Sequence, residues 1–108
     1  MVEYSRNLDS VFHSLSDPIR RDILYRVTNA ELSVGELVSH YDMSFAAVSK
    51  HIQVLQASSL ITKRKEGKKQ IIKLAPDALH IVDRYLEQYR QIWQSKHDKL
   101  AALLQKDK

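Results

Sequence analysis

The sequence predicts a mostly α-helical fold of the α+β class, with five helices and one β-hairpin in a single domain over residues 1–108. The whole chain contains only two glycines and two prolines, which leaves little material for the turns of a many-stranded sandwich or barrel. Apolar residues recur at helical spacing along most of the sequence, and the period changes to that of strands only after position 59. A chain of this length favours one domain with a modest core, to which a partner subunit would add burial.

The first two helices are predicted from apolar spacing and from a helix cap. Four apolar residues recur at i, i+3, i+4 and i+7 within a first helix at about 5–15: Leu8, Val11, Phe12 and Leu15. Asp17 and Pro18 begin the second helix, because aspartate can cap the free amides and proline fits the first helical position. The apolar side of this helix consists of Ile19, Ile23, Leu24 and Val27, and Asn29 ends it.

Two short helices joined by a tight connection follow, as in a helix-turn-helix. Ser33 and Glu36 form the S-x-x-E pattern of a capping box, which predicts a short helix at about 33–41. Ser44 can cap the next helix. We expect its buried side to be Val48, Ile52 and Leu55, which leaves Ala46, Ser49, Lys50 and Gln53 pointing outward.

A lysine-rich β-hairpin is predicted after the fourth helix. Residues 60–65 and 70–74 are rich in β-branched side chains, and Gly67 between them supplies the positive φ of a short turn. From 63 to 73 there are six basic residues and one acid, a net charge of +5, whereas the other positions hold 11 basic and 12 acidic residues, a net charge of −1. Such a patch suits a polyanion such as nucleic acid or an anionic membrane surface, although most short charge runs are solvated loops.

The last stretch, from 76 to about 105, is predicted to be one helix of about 45 Å. Its apolar residues repeat every seven positions, with Lys96 as the polar exception. This pattern fits either packing onto the same domain or a helix shared with a second subunit, and we favour the second. The predicted dimer interface comprises Leu8, Val11 and Phe12 on the first helix and Leu79, Val82, Leu86, Tyr89, Trp93 and Leu100 on the last.

Several classes of function are excluded by composition. Without cysteine the chain has no disulfide, thiolate metal site or cysteine nucleophile. No glycine-rich phosphate loop, paired metal-ligand helix or G-x-S-x-G motif occurs, so we expect no enzyme and no cofactor. The N-terminus lacks a basic segment followed by an apolar one, and no run of about 18 apolar residues occurs. We therefore expect a cytoplasmic protein without a membrane partner.

A helix-turn-helix followed directly by a basic hairpin is a winged helix-turn-helix, and both parts suit DNA binding. The recognition helix fits the major groove, while lysines on the wing neutralise phosphates. The segments LDSVFHSLSDPIRRDIL, ELSVGEL and MSFAAVSKHIQVLQASSLITKRKEGKKQIIKL, over roughly residues 8–75, resemble the ArsR/SmtB family of bacterial winged-helix repressors. The resemblance implies a homodimer, joined by a long C-terminal dimerisation helix, that represses transcription at an imperfect palindrome in double-stranded DNA. Ser59 departs from the family pattern, which usually has glycine there.

The resemblance and the helical wheel together indicate which residues contact DNA. The predicted set is Ser33, Val34, Ser44, Phe45, Ala46, Ser49, Lys50 and Gln53 in the helix-turn-helix, and Arg64, Lys65, Lys68 and Lys69 on the wing. Lys50 could donate to guanine or to a phosphate. Phe45 could contact a thymine methyl or belong to the core. His51 has two open interpretations, a DNA contact or a histidine hydrogen-bonded locally between the helices.

The effector is not identified by the sequence. The family's two-cysteine metal motif is absent, because Ser33 and Gly35 stand in its places, and the resemblance is closer to the metal-independent branch. Residues of ligand type on the last helix do not reproduce the spacing of the family's second site, so no metal is predicted: Asp77, His80, Asp83, Glu87, His97 and Asp98. Three alternatives stay open: a winged helix that binds only proteins, a metal-responsive repressor with a site on the last helix, and RNA binding, against which the basic hairpin lacks an aromatic stacking platform.

Overall fold

The computed structural model describes the backbone of residues 2–106 and the side chains of residues 7–105. Five helices and three strands occur within these residues, which confirms the predicted fold class. Their order is α1 (Val2–Leu15), α2 (Pro18–Asn29), β1 (Leu32–Ser33), α3 (Val34–Val38), α4 (Phe45–Ala57), β2 (Ile61–Glu66), β3 (Lys69–Leu74) and α5 (His80–Lys106). Positions 1, 107 and 108 of the predicted domain lie outside the described residues.

The helices of the central motif begin at the caps that the sequence predicts. The side chain of Asp17 accepts a hydrogen bond from the amide three residues on, and Pro18 lies in the first turn of α2. Ser33 and Glu36 form the capping box, in which each side chain accepts from the other residue's amide at 3.1 Å. Ser44 caps α4 by a single bond, in which its hydroxyl accepts from the Ala47 amide at 3.1 Å. Each such cap stabilises its helix by about 1 kcal/mol, so these local bonds determine where the two helices of the motif start.

The sheet contains one strand more than the predicted hairpin. β2 and β3 pair antiparallel along their whole length, and β1 pairs with the other edge of β3, where Leu32 lies opposite Ile72. A strand of two residues has no alternation to detect, so no sequence pattern could reveal it. Gly67 has a φ of 63° at the first position of the two-residue hairpin turn, as its place in the sequence predicts.

Three helix boundaries differ from the prediction. α1 begins at Val2 rather than at about 5. α3 ends at Val38 and gives way to three-residue turns, in which the amide of Tyr41 donates to the Val38 carbonyl. α5 begins at His80 rather than at 76, because residues 76–79 form turns before the helix. The amide of Ala78 donates to the Ala75 carbonyl there, and the Ala78 methyl is buried against the core. The predicted dimer helix is therefore four residues shorter at its start.

The core lies where α2, α3, α4 and the sheet meet. Its fully buried side chains include Ile23, Leu37, Val48, Ile52, Leu55, Leu60 and Ile72, which confirms the predicted buried side of α4. Leu8 and Val11 of α1 are also buried within the chain, and Val11 belongs to this core. Their assignment to the dimer interface is corrected, because another subunit cannot reach side chains that their own domain covers.

α5 packs on the domain only through its first turns. Val82 is half-buried against the core, and Tyr85 meets Phe12 edge to face with ring centroids 5.6 Å apart. The rest of this 27-residue helix extends away, so the molecule measures 66 × 34 × 21 Å. Between residues 2 and 106, no helix combines the length and the apolar character needed to cross a membrane.

Candidate nucleic-acid interface

α4 presents an open face on the side opposite its buried residues. The predicted contact residues Ser44, Phe45, Ala46, Lys50 and Gln53 are exposed, and Ser49 is half-buried. Phe45 is 60% exposed, so it does not belong to the core. A helix with a short hydroxyl, an amide, an ammonium group and apolar contacts along one open face carries the groups that read base edges in the major groove.

Ser33 and Val34 are placed inside the domain rather than on this face. The hydroxyl of Ser33 caps α3, and its side chain is buried. Val34 packs into the core. Both residues open α3 as predicted, but burial removes their side chains from the candidate DNA surface, and we correct their assignment accordingly.

The wing carries positive charge on both faces of the hairpin. Because side chains alternate along a strand, Lys63 and Lys65 lie on one face of β2 and Arg64 on the other. Lys68 lies in the turn, and Lys69 begins β3 beside it. All of these side chains are exposed. Lys63 was not among the predicted contact residues, although its i, i+2 relation to Lys65 places it beside one of them.

Arg64 is held by two carboxylates of its own chain. Its Nη2 donates to Glu31 Oε2 at 2.7 Å and to Glu66 Oε2 at 3.2 Å. Hydrogen bonds to these carboxylates, that of Glu31 first, raise the pKa of Arg64, and the same bond lowers the pKa of Glu31. Since Glu31 lies just before β1, the pair fastens the wing to the body of the domain. The charge of Arg64 is therefore partly satisfied in the free protein.

His51 lies between α2 and α4 and not on the outer face of α4. Its Nδ1 is 3.3 Å from Arg20 Nη1 and 3.8 Å from Asp17 Oδ2, and its side chain is 20% exposed. The local hydrogen bond is thus the interpretation that the structure favours. Arg20 was not predicted to be buried, although the helical spacing indicates it. Arg20 begins a series at i, i+3, i+4 and i+7 whose other members, Ile23, Leu24 and Val27, are the buried apolar residues of α2.

Several polar residues of α5 that could ligate a metal have other partners along the helix. Arg90 forms ion pairs with Asp83 at 2.6 Å and with Glu87 at 2.9 Å. The ring of His97 stacks on Trp93, with planes 5° apart. In the part of the chain that the structure describes, no three His, Cys, Asp or Glu side chains gather closely enough to hold a metal ion.

α5 and α1 share an exposed apolar strip, which we call the α5 strip. It consists of Phe12, Leu79, Leu86, Tyr89, Ile92, Trp93, Leu100, Leu103 and Leu104. Trp93 is 71% exposed, although a tryptophan usually buries most of its surface. Exposed apolar side chains that recur along one side of a helix commonly mark an interaction site. Six of the nine predicted interface residues lie in the strip, since Leu8 and Val11 are buried and Val82 packs on its own core.

Known proteins share both sequence and fold with this chain. The model of the family described as "bacterial regulatory protein, arsR family" matches residues 17–63, from the cap of α2 into β2. The HTH-type transcriptional regulator Rv2034 of Mycobacterium tuberculosis is 32% identical over 84 residues, which cover 78% of this chain and 78% of that protein. The arsenical resistance operon repressor of Staphylococcus xylosus is 30% identical over 82 residues, covering 76% of this chain and 79% of the relative. The structure of an ArsR-like transcriptional regulator from Rhodococcus sp. RHA1 matches with a TM-score of 0.76 at 28% identity, over 97% of this chain and 96% of that one.

Proposed function

The chain belongs to the ArsR family of bacterial regulatory proteins, and from that premise we propose that it is a homodimeric repressor that binds a palindromic operator through α4 and the wing. Membership places it among DNA-binding transcriptional regulators rather than enzymes. One relative is named as an operon repressor, and repression is the role that we extend to this chain. Since the proposed target is bacterial DNA, we infer that it acts in the cytoplasm.

The observation that carries the proposal is the open face of α4. Three apolar residues fix the opposite side of the helix in the core, so the outer face is held in one orientation. Lys50 can donate to guanine O6 and N7, and Gln53 can pair with adenine, while Phe45 and Ala46 suit a thymine methyl. These contacts distinguish sequences, because each base pair presents a different pattern in the major groove.

The wing supplies the part of the affinity that does not depend on sequence. Lys65, Lys68 and Lys69 are exposed near its tip, where phosphates of the duplex backbone would lie. Each phosphate that a lysine neutralises releases a counterion, which makes the affinity fall with salt. The tasks of reading and anchoring are thus divided between α4 and the wing.

The α5 strip supports the dimer. A single α4 reads only a few base pairs, whereas two copies related by a two-fold axis would read two half-sites about one helical turn apart. Burial of the strip against a second copy removes its apolar surface from water, at about 25 cal/mol per Å². The same surface therefore offers a stabilising interface and the symmetry that a palindrome needs.

The test is a fluorescence anisotropy titration with two labelled duplexes, one selected by the protein from a randomised library and one of scrambled sequence. At two salt concentrations, we expect tighter binding to the selected duplex by at least about a thousandfold and a marked loss of affinity at the higher salt. A protein-binding module without DNA function would show neither the preference nor the salt dependence, and that outcome would reject the proposal.

A further inference from the structure

A buried arginine joins the end of α1 to α4. Arg20 is only 9% exposed, and its Nε donates to the Ser14 carbonyl at 2.7 Å while Nη2 donates to the His13 carbonyl at 2.9 Å. These carbonyls belong to the last turn of α1, where acceptors lack partners within the helix. The remaining nitrogen, Nη1, lies 3.3 Å from Nδ1 of His51 on α4. One guanidinium group thus bridges two helices.

The bridge to His51 depends on the form of its ring. Because a guanidinium group only donates hydrogen bonds, the contact between Arg20 Nη1 and His51 Nδ1 is a hydrogen bond in the tautomer whose Nδ1 carries no proton. Asp17 Oδ2 lies 3.8 Å from the same ring nitrogen and also caps α2 by accepting from the Arg20 amide at 3.0 Å. His51 therefore sits at the junction of α1, α2 and α4.

A second polar contact holds α4 two turns further along. The hydroxyl of Ser14, which is 1% exposed, donates to Ser58 Oγ at 2.8 Å, with the Val54 carbonyl at 3.3 Å. α1 is thus attached to α4 at two points, directly through the Ser14 hydroxyl and, by way of Arg20 of α2, at His51. Two points of attachment fix the angle of a helix as well as its distance.

α1 also contacts the helix that carries the proposed dimer interface. Phe12 packs against Tyr85 of α5, and Phe12 itself belongs to the α5 strip. The bridge from Arg20 to His51 starts one residue further along α1, at the His13 carbonyl. A continuous series of contacts therefore runs from the dimer surface through α1 to the helix that faces DNA.

We propose that Arg20 and His51 are positioning residues that set the angle of α4 relative to the dimer surface, and so determine sequence preference without touching DNA. This inference rests on the proposed function. Base contacts require the helix to be held within fractions of an ångström, whereas phosphate contacts tolerate a looser arrangement. Loss of the bridge should therefore reduce binding to a selected site more than binding to random DNA.

The experiment compares His51→Leu with His51→Asn in the full chain. Asparagine keeps an acceptor near the position of Nδ1, and leucine removes it. The probes are the library-selected duplex and its scrambled counterpart, and the measured quantity is the ratio of the two affinities. We expect His51→Leu to lower this ratio about tenfold, the equivalent of one hydrogen bond to a charged group, and His51→Asn to restore most of it.

Two controls separate positioning from other roles. Val27→Ala removes buried methyl groups from α2 away from the bridge, so it lowers stability and should leave the ratio unchanged. Hydrogen exchange of the α4 amides in the free protein should be faster in His51→Leu than in wild type, which a direct DNA contact would not produce. An unchanged ratio in His51→Leu, or unchanged exchange, overturns the inference. A wild-type protein that prefers neither duplex would instead reject the proposed function.

Discussion

Replacement of Ser59 by glycine should stabilise the protein, because Ser59 holds a left-handed backbone conformation at the end of α4. Its φ is 63°. The Ser59 amide donates to the Gln56 carbonyl at 3.0 Å, and the Leu60 amide donates to the Leu55 carbonyl at 3.1 Å. This pair of bonds is a Schellman motif, and the two residues joined by its longer loop, Leu55 and Leu60, are both fully buried in the core. The motif requires a left-handed residue at 59 whatever side chain stands there.

The size of the effect follows from two opposing terms. A residue with a Cβ atom loses about 1–2 kcal/mol in the left-handed region. Glycine avoids that strain but loses more backbone entropy on folding, by about 0.5–1 kcal/mol. Taken near their midpoints, the two terms predict that Ser59→Gly raises the free energy of unfolding by about 0.5–1 kcal/mol per chain, or the Tm by about 2–8 °C.

The assay is urea unfolding followed by circular dichroism at one fixed protein concentration, since the stability of a dimer depends on concentration. Ser59→Ala is the matched control, because alanine also carries a Cβ and keeps the strain. We expect alanine to be no more stable than wild type and glycine to be more stable than both. If glycine and alanine give equal midpoints, the left-handed strain does not contribute to stability and the reasoning is wrong.

Three further predictions concern charged residues. Lys50→Ala should weaken binding to the selected duplex by roughly 1–3 kcal/mol and leave scrambled DNA unaffected, whereas equal losses on both would make Lys50 a phosphate anchor. The double variant that combines Lys68→Ala with Lys69→Ala should weaken binding to both duplexes. The slope of log affinity against log salt concentration should fall in magnitude by about 0.9 for each phosphate that is no longer neutralised. Lys99→Ala is the control, which should change neither the affinity nor the slope. Asp22→Asn should flatten the loss of stability below about pH 4 in unfolding curves, because the Tyr41 hydroxyl and then Arg26 lower the pKa of Asp22. A carboxylate whose pKa is lowered by folding stabilises the protein at pH values above its unfolded pKa, and this contribution is lost as the pH falls. If the acid unfolding curves of Asp22→Asn and wild type coincide, Asp22 does not contribute to stability in this way.

The elements that were predicted correctly depend on chemistry within a few residues. Ser33 with Glu36 and Ser44 with the amide three positions on are local capping pairs, so their spacing in the sequence is also their spacing in space. The buried side of α4 follows from the period of the helix alone. The hairpin turn needed only one glycine in the right place, and Gly67 has the required φ.

The features that were missed depend on contacts between distant residues. β1 forms only because Leu32 meets Ile72, forty positions away, and two residues carry no periodic signal of their own. The bridge between Arg20 and His51 spans 31 positions. Here the sequence held a partial signal, since Arg20 falls on the apolar face of α2, but the identity of its acceptor could not be inferred from spacing.

The candidate site shows the same division. The outward positions on α4 follow from the helical period. A family resemblance indicates which positions contact DNA but not whether this chain buries them, which is why Ser33 and Val34 were wrongly included. Two of the three interface residues predicted on α1 were wrong for a related reason. Leu8 and Val11 have the apolar spacing of an interface, and the same spacing also describes a helix face that packs on its own core.

Methylation interference at guanine N7 on the library-selected duplex tests the central claim most directly, because N7 lies in the major groove. Paired α4 helices predict two blocks of interference on one side of the duplex, with centres about 10 base pairs apart. The sequences of the two blocks should form an inverted repeat. A single block, or interference that ignores sequence symmetry, would contradict the account of two recognition helices held by one dimer.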